Sequence, residues 1–402
     1  MHESDDAQPD TLRAEAGRSV HPRSGDAEHV REALALNRRS ALWTSLARMG
    51  GILPPAGNAY EDPWALLRGR QHPSGGGSAN GGLVRATGSS ESVARPCFDA
   101  EIAPGGYGWW YVDAISADGK HGLTIIAFIG SVFSPYYKSS GRREPENHCA
   151  LNVALYGPRA RWAMTERQND ALSRDRDTLI LGPSNVRWMG DYMEIEIAER
   201  DKRLFNPYRR QIRGTVRVYP QMLNSTAFAL DPQAKHIWHC ISPRARVEVD
   251  MREPGINWRG AGYLDSNFGS ESLEEGFRIW HWSRAHIGKE AIVCYEGIRR
   301  NGSGFASALR FRADGMPQET ELPMVAPLPN SVWQITRKTR SDRGDAKILT
   351  TWEDTPFYAR STLASRLDGE KVVAVQESLD MDRFASGIVQ FMLPYRMPRS
   401  DR

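Results

Sequence analysis

Cysteine is scarce: four residues, at positions 97, 149, 240 and 294, in a chain of 402, with no C-x-x-C pair among them. So scattered, they form neither a disulfide framework nor a zinc site, and they read as reduced core residues. Long apolar runs are lacking as well. The best, Leu123 to Phe133, falls well short of the ~20 residues that a membrane-spanning helix needs. The opening Met1-His-Glu-Ser-Asp-Asp has no basic stretch leading into an apolar one, so no secretory signal is expected and the expected compartment is cytoplasmic. Nor is there an excess of one charge. A formal net charge of +3, from 52 basic and 49 acidic residues, gives no reason to expect a nucleic-acid partner.

What is present is a globular composition, 40% hydrophobic and 25% charged, with length for two or three domains at roughly 100–200 residues each. Residues 1–95 stand apart as an N-terminal extension. They hold one amphipathic helical stretch, about 27–49, and a Gly/Ser run, Ser74 to Gly82, expected to be a flexible linker. The stretch carries Val30, Leu34, Leu42, Leu46 and Met49 on one face, with Arg31, Arg38, Arg39 and Arg48 elsewhere. Local packing is the favoured reading; a seat on an anionic membrane surface is the other.

From Phe98 the hydrophobic period becomes two. Met193 to Ile197, Ile212 to Val218, Ala245 to Met251, Phe305 to Phe311 and Lys371 to Val375 alternate as half-buried strands do. Asp118-Gly119, Asn301-Gly302, Asp314-Gly315 and Asp368-Gly369 supply hairpin turns. The pattern predicts an all-β body. Its length predicts two β-domains, 98–268 and 269–402, with the first carrying the candidate site.

Several candidate chemistries fail on their own terms. Gly105 to Tyr111 is Gly-rich but runs into an aromatic strand, with no helix N-terminus to cradle a phosphate. It predicts a tight turn and an aromatic wall. His236 and His239, three apart on a strand, point to opposite faces and do not share a metal ion. Gly302-Ser-Gly304 lacks the nucleophile-elbow frame. Two i, i+2 couples are more informative: His236 with Trp238, and Tyr263 with Asp265, each couple sharing one strand face. Spacing alone leaves two readings open, an acid among aromatics in one cavity, or a turn Asp265 beside core aromatics.

Longer motifs bear on the choice. Gly108-Trp-Trp-Tyr-Val-Asp-Ala-Ile115, Ile126-Ala-Phe-Ile-Gly-Ser-Val-Phe-Ser-Pro-Tyr136, Asn147-His-Cys-Ala-Leu-Asn-Val-Ala-Leu155, Trp258-Arg-Gly-Ala-Gly-Tyr-Leu-Asp-Ser-Asn267, Glu377-Ser-Leu-Asp-Met-Asp-Arg-Phe-Ala-Ser386 and Met392-Leu-Pro-Tyr-Arg-Met-Pro-Arg399 together resemble the carotenoid 1,2-hydratase (hydroxyneurosporene synthase) family. The likeness covers about three-quarters of the chain by this reading, and none of the first 95 residues. It implies two lipocalin-like antiparallel β-barrels and hydration of the terminal 1,2 double bond of acyclic carotenoids such as neurosporene or lycopene. It implies no cofactor and no metal. The family's proposed acid and its supporting residues fall on Asp265, with His236, Trp238 and Tyr263.

The residue types suit that reaction. A trisubstituted alkene is a weak base, so its donor must be a protonated carboxyl, whereas a solvated Asp ionises near pH 3.9. Burial among aromatics raises that value. The rings of Trp238 and Tyr263 stabilise a tertiary cation, and His236, expected neutral, orients Asp265 or takes a proton from water. A C40 substrate requires an open-ended tunnel or groove and implies contact with the periphery of an inner or photosynthetic membrane. Two other functions fit the same implied fold: a non-catalytic binder of an apolar ligand, and a pericyclase.

Overall fold

The computed structural model describes residues 83–85, 94–201 and 210–400, all of which belong to one compact unit. The expected helix at 27–49 and the Gly/Ser run at 74–82 lie outside the described residues. The body is mostly β, and its described helices are short, the longest being Gly387–Arg396.

Two antiparallel sheets carry the architecture. The larger has thirteen strands among the described residues. Its centre runs in the order Gly122–Ile129, Tyr107–Ser116, Ile256–Gly269, His236–Glu253 and Arg210–Pro220. The sheet curls until the strand Arg161–Arg167 meets Met193–Asp201, where an Arg167 guanidinium nitrogen donates to Glu199 Oε2 at 2.8 Å. The result is a nearly closed barrel filled by alternate residues such as Val112, Ile125, Val153, Val216 and Val247. The smaller sheet has seven strands among the described residues, with Glu290–Arg299, Phe277–Ile287, Glu370–Asp380 and Tyr358–Leu367 as consecutive neighbours. The expected Asp-Gly and Asn-Gly turns all join neighbouring strands, and each glycine has a positive φ.

The strand Tyr107–Ser116 explains how the sheets meet. Trp110, Val112 and Ala114 point into the barrel. Tyr107, Trp109 and Tyr111 point the other way and join a second core shared with Trp280, Trp282 and Tyr295 of the smaller sheet. With both faces buried, such a strand reads as a near-continuous apolar run instead of alternating, as Gly108-Trp-Trp-Tyr-Val does.

Candidate functional site

Register assembles the site on the outward face of the larger sheet. Asp265 lies opposite Tyr111, Tyr263 opposite Asp113, Asn267 opposite Trp109, and Gly269 opposite Tyr107. On the other side of the same strand, Trp238 faces Asn267 and His236 faces Gly269. Residues two apart on a strand share a face, so one row of side chains runs from His236 through Trp238 to Asp265 and Tyr263. The smaller sheet closes over it. Trp282 packs edge-on against Tyr263, with centroids 5.0 Å apart, and Tyr295 lies 5.1 Å from Trp238.

Asp265 is 4% exposed. Its Oδ2 accepts from Tyr263 Oη at 2.8 Å and from Trp238 Nε1 at 3.0 Å. Trp238 Nε1 also lies 3.2 Å from Tyr263 Oη, so the three groups form one closed knot. Oδ1 has only Asn267 Nδ2 at 3.4 Å. A carboxyl oxygen engaged by two donors has no lone pair left for a proton, so the neutral acid carries its hydrogen on Oδ1. Burial pushes this carboxyl up to about 8; the Tyr263 and Trp238 hydrogen bonds oppose the rise, and the Glu377 and Asp113 carboxylates add to it. At neutral pH Asp265 is therefore an acid with a proton to give.

His236 occupies the far end of the row. Gly269, its partner across the ladder, is four residues from Asp265, about 13 Å along the strand at ~3.3 Å per residue. Its contacts lie elsewhere: Nδ1 is hydrogen-bonded with Tyr107 Oη at 2.9 Å, and Nε2 stands 3.4 Å from Glu271 Oε1 without a hydrogen bond to it. Burial lowers its pKa, against the raising influence of the Asp231 and Glu271 carboxylates. A neutral ring that accepts at Nδ1 from Tyr107 and carries its hydrogen on Nε2 fits this arrangement, with that hydrogen turned toward Glu271 but not bonded to it. Asp231 Oδ2 accepts the backbone N–H of His236 at 2.8 Å and so fixes the start of the strand. Two glycines permit this close packing. A Cβ on Gly276 would lie 2.3 Å from His236 Nε2, and one on Gly269 would lie 2.2 Å from the Tyr107 ring.

Of the four residues singled out from sequence, three are thus bonded together, and the fourth is set apart beside Tyr107. His239 donates from Nε2 to the Asn224 carbonyl at 2.8 Å, away from His236. Among the described residues no group of three or more His, Cys, Asp or Glu is arranged to hold a metal ion.

Spacing gave no warning of the ionic network next door. Arg284 Nε donates to Asp113 Oδ1 at 2.7 Å, and Arg360 reaches Asp113 Oδ2 at 2.5 Å. Arg360 also bonds Glu377, which accepts from Tyr111 Oη at 2.7 Å. The aromatic run around Tyr107 was the one available signal, since its period-two members Tyr107, Trp109 and Tyr111 all line this face.

Rings continue from the site to the C-terminal helices. Trp238, Tyr295, Trp280, Trp109, Phe128 and Phe133 follow one another at centroid spacings of 5.1 to 6.2 Å, and Phe384 stands 5.6 Å beyond Phe133.

The family described as "Carotenoid hydratase CrtC" matches residues 125–402. The acyclic carotenoid 1,2-hydratase of Thiocapsa roseopersicina is 45% identical over 383 residues, 94% of each chain. That of Rubrivivax gelatinosus is 42% identical over 384 residues, again 94% of each. The Cereibacter sphaeroides enzyme of the same name is 39% identical over 276 residues, 68% of this chain and 98% of its own. Coverage of 94% is too great for residues 1–95 to lie wholly outside the match. The expectation that the likeness begins at Phe98 is corrected: two relatives share part of the N-terminal extension.

Proposed function

This chain belongs to the carotenoid hydratase family, and from that premise we propose that it adds water across the terminal C1=C2 bond of an acyclic carotenoid such as neurosporene or lycopene. The observation that carries the proposal is Asp265: buried, raised to about 8, and held through Oδ2 by two neutral donors. The proton on Oδ1 passes to C2, which places the positive charge on tertiary C1. Tyr263 and Trp238, which hold Asp265, and Trp282, packed on Tyr263, put aromatic rings next to that charge, and cation–π contacts reach ~2 kcal/mol or more when desolvated. Asp265, now a carboxylate kept in place by Tyr263 and Trp238, stabilises the cation from Oδ1.

Water then bonds to C1, and the proton it sheds returns to the Asp265 carboxylate. The product is a 1-hydroxy carotenoid and the acid is restored, with no cofactor or metal consumed. His236 serves this cycle at a distance. It fixes Tyr107, and through the Tyr107–Trp109 stack, 4.9 Å between centroids, it shapes the aromatic wall. It is a positioning residue in this scheme, not the base. Restricting water to single molecules matters, because a wet site returns Asp265 to its ionised form.

A C40 polyene partitions into bilayers, so the working location we propose is cytoplasmic and peripheral to the inner or photosynthetic membrane. Among the described residues no helix is long and apolar enough to cross one. Incubation with lycopene in deuterium oxide tests the reaction. Deuterium at C2 of a 1-hydroxylycopene is the expected result; quantitative recovery of unlabelled lycopene would overturn it.

A further inference from the structure

The C-terminal helix Gly387–Arg396 has two apolar sides. Val389 and Leu393, at i and i+4, are buried in the same core as Trp238 and Tyr263. Ile388, Phe391 and Tyr395 point outward, 37%, 68% and 50% exposed. Phe391 and Tyr395 are the only aromatic residues at least half exposed among the described residues, and they lie against each other at 5.8 Å between centroids. An i, i+3, i+7 stripe of this kind costs solubility unless something covers it.

Its surroundings identify the cover. From Ser386 to Ser400 the chain itself carries no carboxylate and two cations, Arg396 at the end of the helix and Arg399, the latter paired with the buried Glu166 at 3.1 Å. The Arg396 guanidinium lies 4.3 Å over the Trp162 ring, so a cation and two aromatic rings gather at the helix C-terminus beside Tyr395. Apolar residues on one face with Tyr, Trp and Arg at its border is the chemistry of a helix lying at the level of lipid headgroups. Gln390 of the same helix donates to the carbonyl of Phe384, on the preceding helix Met381–Ala385, at 2.8 Å, and the buried Phe384 ring packs against Phe133.

We propose that the outer face of Gly387–Arg396 seats on an anionic lipid bilayer. The seating does not rest on the carotenoid reading above; the hydration arm of its test does.

The test is flotation of the full-length protein, free of carotenoid, with vesicles of phosphatidylcholine alone or with one-third phosphatidylglycerol. The parent is expected to float with the anionic vesicles and much less with the neutral ones. Ile388→Asp/Phe391→Asp, checked for an unchanged thermal melt, is expected to lower the bound fraction at least tenfold, and Phe391→Trp to keep it. The same double variant should hydrate a carotenoid in detergent micelles at the parent's rate and fail with carotenoid held in vesicles. Should the variant misfold, Ile388→Ser/Phe391→Ser is measured in its place, because the parent's flotation alone does not separate this helix from the basic stretch at 27–49. The seating is overturned if the double variant floats like the parent, if the parent ignores both vesicles, or if the substitutions only split a dimer. Absence of hydration by a parent that floats with the anionic vesicles would count against the carotenoid reading alone.

Discussion

Asp113 and Asp265 sit one residue pair apart on the same buried face and have opposite surroundings. Asp113, wholly buried, has a guanidinium on each carboxylate oxygen, Arg284 at 2.7 Å and Arg360 at 2.5 Å. Asp265, 4% exposed, is met only by a phenol, an indole and an amide. Depth is the same; the charge of the donors differs. A cation compensates a buried carboxylate, whereas neutral donors hold the group without erasing the cost of ionising it. The protein thus ties one carboxyl to two cations and leaves its neighbour among neutral donors, the state that the proposed reaction asks of its acid.

Removing that acid should have the largest effect. Asp265→Asn keeps the shape and the Oδ contacts but has no proton to give, and turnover should fall about 10²–10⁴-fold, the usual contribution of a general acid. Initial rates with lycopene measure it, and a near-parental melting temperature should accompany the loss. Rates near the parent's would exclude Asp265 as the donor.

Arg360→Met should do the reverse. It leaves Asp113 with one cation and Glu377 without Arg360, and breaking buried pairs of this kind costs about 3–5 kcal/mol. Urea unfolding near neutral pH reads that loss.

The third comparison is by pH. Asp265 holds its proton in the fold up to about 8, whereas an unfolded Asp releases it near 3.8. Hydration should therefore be sustained below pH 8 and fall tenfold per unit above it. The sign for stability follows from a folded value raised above the unfolded one. The contribution is fully present below about pH 4 and is lost as pH rises toward 8, by about 1.4 kcal/mol per unit. Asp265→Asn, which has nothing to ionise, should gain stability relative to the parent across that window. Parallel stability profiles for the two would contradict a neutral Asp265.

The smallest effect belongs to Tyr263→Phe. The lost hydrogen bond favours the ionised form, so its removal should move the alkaline limb upward by about a unit and lower the rate roughly tenfold through a less fixed acid. A limb that stays in place would show that Tyr263 is only packing.

Local periodicity made much of this face legible. The i, i+2 couples His236/Trp238 and Tyr263/Asp265 do share one side of the sheet, because a strand's period of two is a property of neighbouring residues. How far along that side each lies was not legible. The displacement of His236 depends on the pairing of His236 with Gly269, and the register shifts between His239 and Ser242 and again before Ala245. Tyr107 meets His236 across 129 residues, and Arg360 meets Asp113 across 247. Contacts set by sheet closure leave no spacing to read. The all-β body was visible from alternation and Asp-Gly turns; the two-sided burial of Tyr107–Ser116 shows in sequence only as the absence of alternation.

The crowding of both donors onto Oδ2 has a stereochemical consequence. An acid that delivers from one fixed oxygen presents its hydrogen to one face of the alkene. In ordinary water C2 becomes a methylene and records nothing. In deuterium oxide the same carbon becomes a CHD centre, and a single handedness there would show which side of the polyene faced Oδ1.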